Sequence, residues 1–146
     1  MLDRVETTTG FRNLRYDAAK GFFLNDSAMK INGVCLHHDA GALGAVVNRR
    51  AIERQLQIMK EMGVNAIRTT HNPPAPELLA LCDSMGLMVQ DEFFDMWRRR
   101  KTQYDYSNYF DEWHERDLTD QMKRDRNHPS VIPVSYTHLR AHETSL

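Results

Sequence analysis

Apolar and polar positions along this chain change period several times, and capping and turn residues mark the changes. "AMKINGVCLHH" (28–38) is β-rich and reads as a strand. From Arg49 to about Met62, Ile52, Leu56 and Met59 recur at helical spacing, with Asn48 placed to cap the helix and Gly63 to stop it. "VNAIRTT" is a second strand and "HNPPAP" a turn. "ELLALCDSMG" is a helix with Leu78, Leu81, Cys82 and Met85 at i, i+3, i+4 and i+7. Pro76 suits its first turn, and Gly86 suits the position after its end. "LMVQDEF" is a third strand. Tyr106, Tyr109, Phe110 and Trp113 then open a long helix running to about Arg126, with their aromatic stripe expected in the core. Asn127, His128 and Pro129 end it, and "SVI" starts a fourth strand.

The order β-α-β-α-β-α-β calls for parallel strands joined by right-handed crossovers. A barrel and an open doubly wound sheet both satisfy it. No GxGxxG or GxxxxGK[ST] follows a strand, which removes the usual support for a nucleotide-binding open sheet. Before Lys20, "TTTGFRNLRYDAAKG" reads as one strand and a turn, the expected end of a preceding β domain.

Composition fits a globular class, with 41% hydrophobic and 27% charged residues. The 19 basic and 20 acidic residues leave a net charge of −1, so no global field directs the chain to nucleic acid or to a membrane surface. Apolar runs fall far short of the roughly 20 residues that span a bilayer, and "MLDRVETTTG" holds no signal-peptide core. The basic run "RRRK" (98–101) reads as a solvated loop, and Cys35 and Cys82 as small apolar residues outside any CxxC motif.

Polar residues gather where strands end: His37, His38 and Asp39; Arg68, Thr69, Thr70, His71 and Asn72; Asp91, Glu92 and, slightly later, Asp95 and Trp97. In parallel α/β folds those edges carry the ligand site. The His-His-Asp triplet has zinc or iron chemistry, but alternation on a strand puts His37 and Asp39 on one side and His38 on the other, so a metal would need ligands from elsewhere. Sugar contacts or a structural role at the strand end are the other readings. Arg68, among Val64, Ala66 and Ile67, calls for a buried acidic partner if it points inward, or snorkels to the rim if it does not. Pro73 and Pro74 stiffen the presentation of His71 and Asn72. Asp91 and Glu92 are adjacent, so they diverge. They cannot be the facing carboxylates, about 5–5.5 Å apart, of a retaining glycosidase, and each is expected to orient a neighbour or pair with a cation. Trp97 stacks on a ring-shaped ligand or packs in its loop.

"KGFFLND", "NGVCLHHD", "QLQIMKEMGVNAIRTTHNPPAPELLALCDSMGLMVQDEFFDMW" and "RDRNHPSVI" together resemble the start of the catalytic barrel of glycoside hydrolase family 2, most nearly its β-galactosidase branch. The resemblance runs from about Arg12 to Ile132. It implies an α/β fold: the N-terminal part of a (β/α)8 TIM barrel, about three and a half β/α units over residues 20–132, preceded over 1–19 by the end of a β-sandwich domain. It implies hydrolysis of terminal β-linked galactose with retention, by one nucleophilic and one acid/base glutamate, both beyond Ile132. By motif position, His37, His38, Asp39, His71, Asn72 and Trp97 are substrate-binding residues, and Arg68, Asp91 and Glu92 support the site. Arg68 matches the arginine beside the nucleophile. No cofactor is implied; a cation requirement and homo-oligomer formation in the intact enzyme stay open. β-Glucuronidases and β-mannosidases of the same family are alternatives, as is a non-catalytic sugar-binding module. Asn25-Asp26 departs from the Asn-Gly turn of many relatives.

The last stretch differs in kind. "VSYTHLRAHET" (134–144) matches the translation of a common transposase-type sequencing adapter, so 133–146 is expected to be a non-native tail. His138, His142 and Glu143 are then without functional meaning.

Overall fold

The computed structural model describes residues 3–132; the expected non-native tail lies outside the described residues. Two sheets form. In the first, β1 (Leu14–Asp17), β2 (Gly21–Leu24) and β3 (Ser27–Ala28) are antiparallel neighbours in that order. In the second, β4 (Gly33–Leu36), β5 (Ala66–Thr69), β6 (Met88–Gln90) and β7 (Val131–Ile132) lie parallel in sequence order. The crossovers are α1 (Arg49–Glu61), α2 (Pro76–Met85) and α3 (Phe110–Asp125).

Helix boundaries follow their capping chemistry. The Asn48 side chain accepts from the Ala51 amide at 3.0 Å, satisfying one of the free amides of the first turn of α1. Pro76 opens α2, where a missing amide costs nothing. Gly86 closes it at φ 69°, a left-handed conformation that a side chain would oppose.

Alternation along the parallel strands separates two cores. Ile67 and Val89, flanked by Val34, Leu36 and Val131, pack on Ile52 and Leu56 of α1 and Leu78, Leu79 and Cys82 of α2. Leu56, Leu79 and Val89 are fully buried, each contributing about 1.5–3 kcal/mol. Ala66, Met88 and Ile132 point the other way and meet Phe22, Leu14, Leu24 and Met29. The antiparallel unit thus covers the inner face at the starts of β5 and β6 and leaves the inner face at their far ends to polar groups. Asn25 and Asp26 take φ of 49° and 64°, so the departure from Asn-Gly still makes the left-handed hairpin turn.

Three expectations need correction. The single strand over 28–38 is two strands in different sheets. Asn65 holds the break open by accepting from the Asn32 amide (2.8 Å) and donating to the Lys30 carbonyl (2.9 Å). The long helix does not begin at Tyr106. Residues Tyr106–Asn108 form a 3-10 turn capped by Asp105, whose carboxylate takes amides from Lys101, Thr102 and Ser107, and α3 starts at Phe110. That change of winding breaks the aromatic stripe. Phe110 is 2% exposed, whereas Tyr109 is 59% and Trp113 36% exposed, the latter beneath the Arg116 guanidinium. The buried positions of α3 are Phe110, Gln121 and Asp125, two of them polar. Among the described residues, no helix is long and apolar enough to cross a membrane.

Candidate functional site

Strand register aligns Cys35, Arg68, Gln90 and Ile132 in one row across the parallel sheet. Ala66 and Met88, two residues back, belong to the inner core, so this row faces inward too. Arg68 therefore points into the barrel side, and its acidic partner is Glu92. Arg68 Nε donates to Glu92 Oε1 at 2.5 Å, and Nη1 reaches Cys35 Sγ at 3.7 Å. The hydrogen bond to Glu92 raises the pKa of the guanidinium above its ordinary value.

Glu92 is fixed from several directions. Its carboxylate is 7% exposed, and Oε2 lies 3.3 Å from His71 Nδ1. Its amide donates to Thr69 Oγ1 (3.0 Å), and its carbonyl accepts from Gln121 Nε2 (3.1 Å). A carboxylate this buried is tolerable because donors meet both oxygens. In the neutral tautomer that donates Nδ1–H to Glu92, His71 Nε2 is an acceptor. The His37 ring stands edge-on to His71, with centroids 5.7 Å apart. Cys35, His37, Arg68, His71 and Glu92 thus make one cluster at the strand ends.

The other expected site residues lie around this cluster or away from it. His38 Nε2 binds the Ala45 carbonyl at 2.8 Å. The Asp39 carboxylate accepts from the Gly41 amide (2.7 Å), and its carbonyl accepts from Gln55 (2.8 Å). Those two side chains shape the 38–45 loop. Together with His37 and Asn72 they line a small cavity whose floor includes Thr69 and Thr70. Asp91 diverges from Glu92, as alternation requires. It accepts from Gln121 Nε2 at 2.8 Å on the α3 side. Burial pushes its carboxyl up to about 7. Trp97 packs against Phe94 (6.1 Å) and Phe110 (5.3 Å), in an aromatic group that includes Tyr106. Among the described residues, no three of His, Cys, Asp and Glu are grouped to hold a metal ion.

Sequence reasoning placed Thr69 at a strand end and missed Gln121, Arg124 and Asp125. These three tie α3 to the site: Arg124 grips Asp125 at 2.6 and 2.7 Å and donates to the Pro74 carbonyl at 3.0 Å. A signal was present. Gln121 and Asp125 stand four apart on a helix, with Leu118 on the same side, so polar residues occupy a stripe that should be apolar.

The arrangement brings a guanidinium, a neutralising carboxylate and two imidazoles together at the strand ends. It presents no pair of free, facing carboxylates among Asp39, Asp91 and Glu92.

Comparison with known proteins gives consistent matches. The family model described as "Glycosyl hydrolases family 2, TIM barrel domain" matches residues 17–138. The β-galactosidase BoGH2A of Bacteroides ovatus is 66% identical over 131 residues, which cover 90% of this chain and 15% of that protein. A putative β-glucuronidase of Formosa agariphila is 39% identical over 132 residues, covering 90% of this chain and 13% of that protein. The crystal structure of a glycosyl hydrolase family 2 member from Bacteroides cellulosilyticus superposes with a TM-score of 0.82 at 51% identity, over 85% of this chain and 16% of that one. The chain spans about 15% of the length of the relatives it matches.

Proposed function

Because this chain belongs to glycosyl hydrolase family 2, with its parallel β/α units forming part of that family's TIM barrel, we propose that it supplies the substrate side of a retaining β-galactosidase. Residues 20–132 are the first part of the barrel, and 1–19 lead in from a preceding β domain. The observation that carries this reading is the Arg68–Glu92–His71 array on the inner face.

In this reading the His71 Nε2 acceptor and the His37 ring meet sugar hydroxyls, while Asn72 and the 38–45 loop wall the pocket. Arg68, held by Glu92, keeps a fixed positive charge beside the place where a nucleophilic glutamate from another part of the full-length protein would stand. Retention then follows by double displacement: the nucleophile forms a glycosyl ester as the acid/base glutamate protonates the leaving oxygen, and water reverses the exchange.

Two features favour galactoside over glucuronide. Identity to the β-galactosidase is 66%, against 39% to the putative β-glucuronidase. The chemistry agrees: a uronic acid needs an uncommitted cation, and Arg68 is already neutralised by Glu92. Proton NMR of an aryl β-galactoside hydrolysed by the full-length protein tests the mechanism. The β-anomer of galactose should appear first; α-anomer first would contradict it.

A further inference from the structure

Resting on the reading of the Arg68 cluster as the substrate side of a glycosidase, we propose that Cys35 is a positioning residue for that reaction: its sulfur holds one arm of the Arg68 guanidinium while Glu92 holds another.

The strand register brings the two side chains together. Cys35 and Arg68 are direct partners in the β4–β5 ladder, in the inward-facing row that continues to Gln90 and Ile132. Neighbouring strands stand about 4.7–4.9 Å apart, so two residues paired in this way rise side by side from the sheet. Arginine is far longer than cysteine, and an arginine standing straight up would carry its guanidinium well past the sulfur. Instead, Arg68 Nη1 lies 3.7 Å from Cys35 Sγ, while Nε donates to Glu92 Oε1 at 2.5 Å. Because β5 lies between β4 and β6, the guanidinium is gripped from both sides, by Cys35 on β4 and by Glu92 in the segment that follows β6.

A guanidinium is a rigid plane carrying several N–H donors. One hydrogen bond leaves that plane free to turn about the bond, and a second contact at another nitrogen removes the freedom. The two contacts here use Nε and Nη1. Nη2 has no hydrogen-bond partner among the described residues, and the Arg68 side chain is 32% exposed, so its donors are left for the nucleophilic glutamate expected beside it. Cysteine suits this task. Its sulfur is a weak acceptor, enough to orient Nη1, whereas a carboxylate in its place would compete with Glu92 for the arginine. Cys82 shows the contrast: it packs among Leu56, Leu79 and Val89 in the outer core and serves no polar group of the site.

The experiment compares the full-length protein as wild type, Cys35→Ala, Cys35→Ser, Arg68→Lys and the double variant of Cys35→Ala with Arg68→Lys, by kcat and KM toward an aryl β-galactoside. Cys35 is exposed, so neither of its substitutions empties a packed core. Cys35→Ala should lower kcat by about three- to tenfold, with KM changed less than about twofold. Cys35→Ser restores an acceptor and should recover at least about half of the wild-type kcat. In the Arg68→Lys background, where the ammonium has no plane to orient, adding Cys35→Ala should change kcat by less than about twofold. An undiminished kcat in Cys35→Ala, a change confined to KM, a serine variant no better than alanine, or losses that multiply in the double variant would overturn the role. With no measurable turnover in Arg68→Lys, the alanine and serine comparison decides alone. If wild type cleaves another β-glycoside and not the galactoside, the galactoside reading falls, while the same comparisons on that substrate decide Cys35. Turnover of no glycoside would overturn both.

Discussion

Arg68 and Glu92, 24 residues apart in sequence, meet at 2.5 Å on the inner face of the sheet, with Glu92 also 3.3 Å from His71. One buried carboxylate therefore holds both the guanidinium and the imidazole. A group with two such duties should be sensitive to a change that preserves its shape. In the full-length protein, Glu92→Gln is expected to lower kcat toward an aryl β-galactoside by about ten- to a hundredfold, the worth of a charge-assisted hydrogen bond. Steady-state kinetics check this, and an undiminished kcat would count against it.

Arg68→Ala should lower turnover more than it weakens ground-state binding. It removes the charge beside the expected nucleophile and leaves Glu92 buried without its main partner. A change confined to KM would contradict that role.

This chain expressed alone should not hydrolyse an aryl β-galactoside, because its strand-end carboxylates are committed: Asp39 to Gly41, Asp91 to Gln121, Glu92 to Arg68 and His71. Enzyme-dependent turnover by the purified chain would disprove this.

The helical layer can be tested by two substitutions. Asn48→Ala should cost about 1 kcal/mol through loss of the cap to Ala51, and Asn48→Asp should restore it. Leu79→Ala, at a fully buried position between α2 and the sheet, should cost about 2–5 kcal/mol. Urea midpoints of the barrel transition in the full-length protein measure both.

The two cysteines should differ in reactivity. Burial pushes the Cys82 thiol up to about 12, and the side chain is fully enclosed, whereas Cys35 is exposed. Iodoacetamide followed by peptide mapping should label Cys35 and spare Cys82 until the protein unfolds; equal labelling of both would contradict the packing.

Much of the fold was legible because local signals agreed with the global arrangement. Asn48, Pro76 and Gly86 mark helix ends by rules that need no tertiary partner, and Ile52, Leu56, Leu78 and Cys82 repeat at the helical period. The break between β3 and β4 was hidden because it depends on Asn65, more than thirty residues away. The start of α3 was misplaced because Asp105 stabilises a tighter turn whose donors are backbone amides, which carry no side-chain signature. In the site, Arg68's need for an acid was readable from its apolar strand, and the divergence of Asp91 from Glu92 from alternation. Gln121, Arg124 and Asp125 were not read, since they act from a helix that the strand-end rule does not cover.

The central claim is that this strand-end cluster serves a neutral β-galactoside. Turnover of aryl β-galactoside, β-glucuronide and β-mannoside by the full-length protein, compared as kcat/KM under one set of conditions, tests it most directly. The account predicts at least about a hundredfold preference for the galactoside, the scale expected when a carboxylate meets a guanidinium, that of Arg68, already committed to Glu92. Preference for the glucuronide or the mannoside, or no turnover of any of the three, would contradict it.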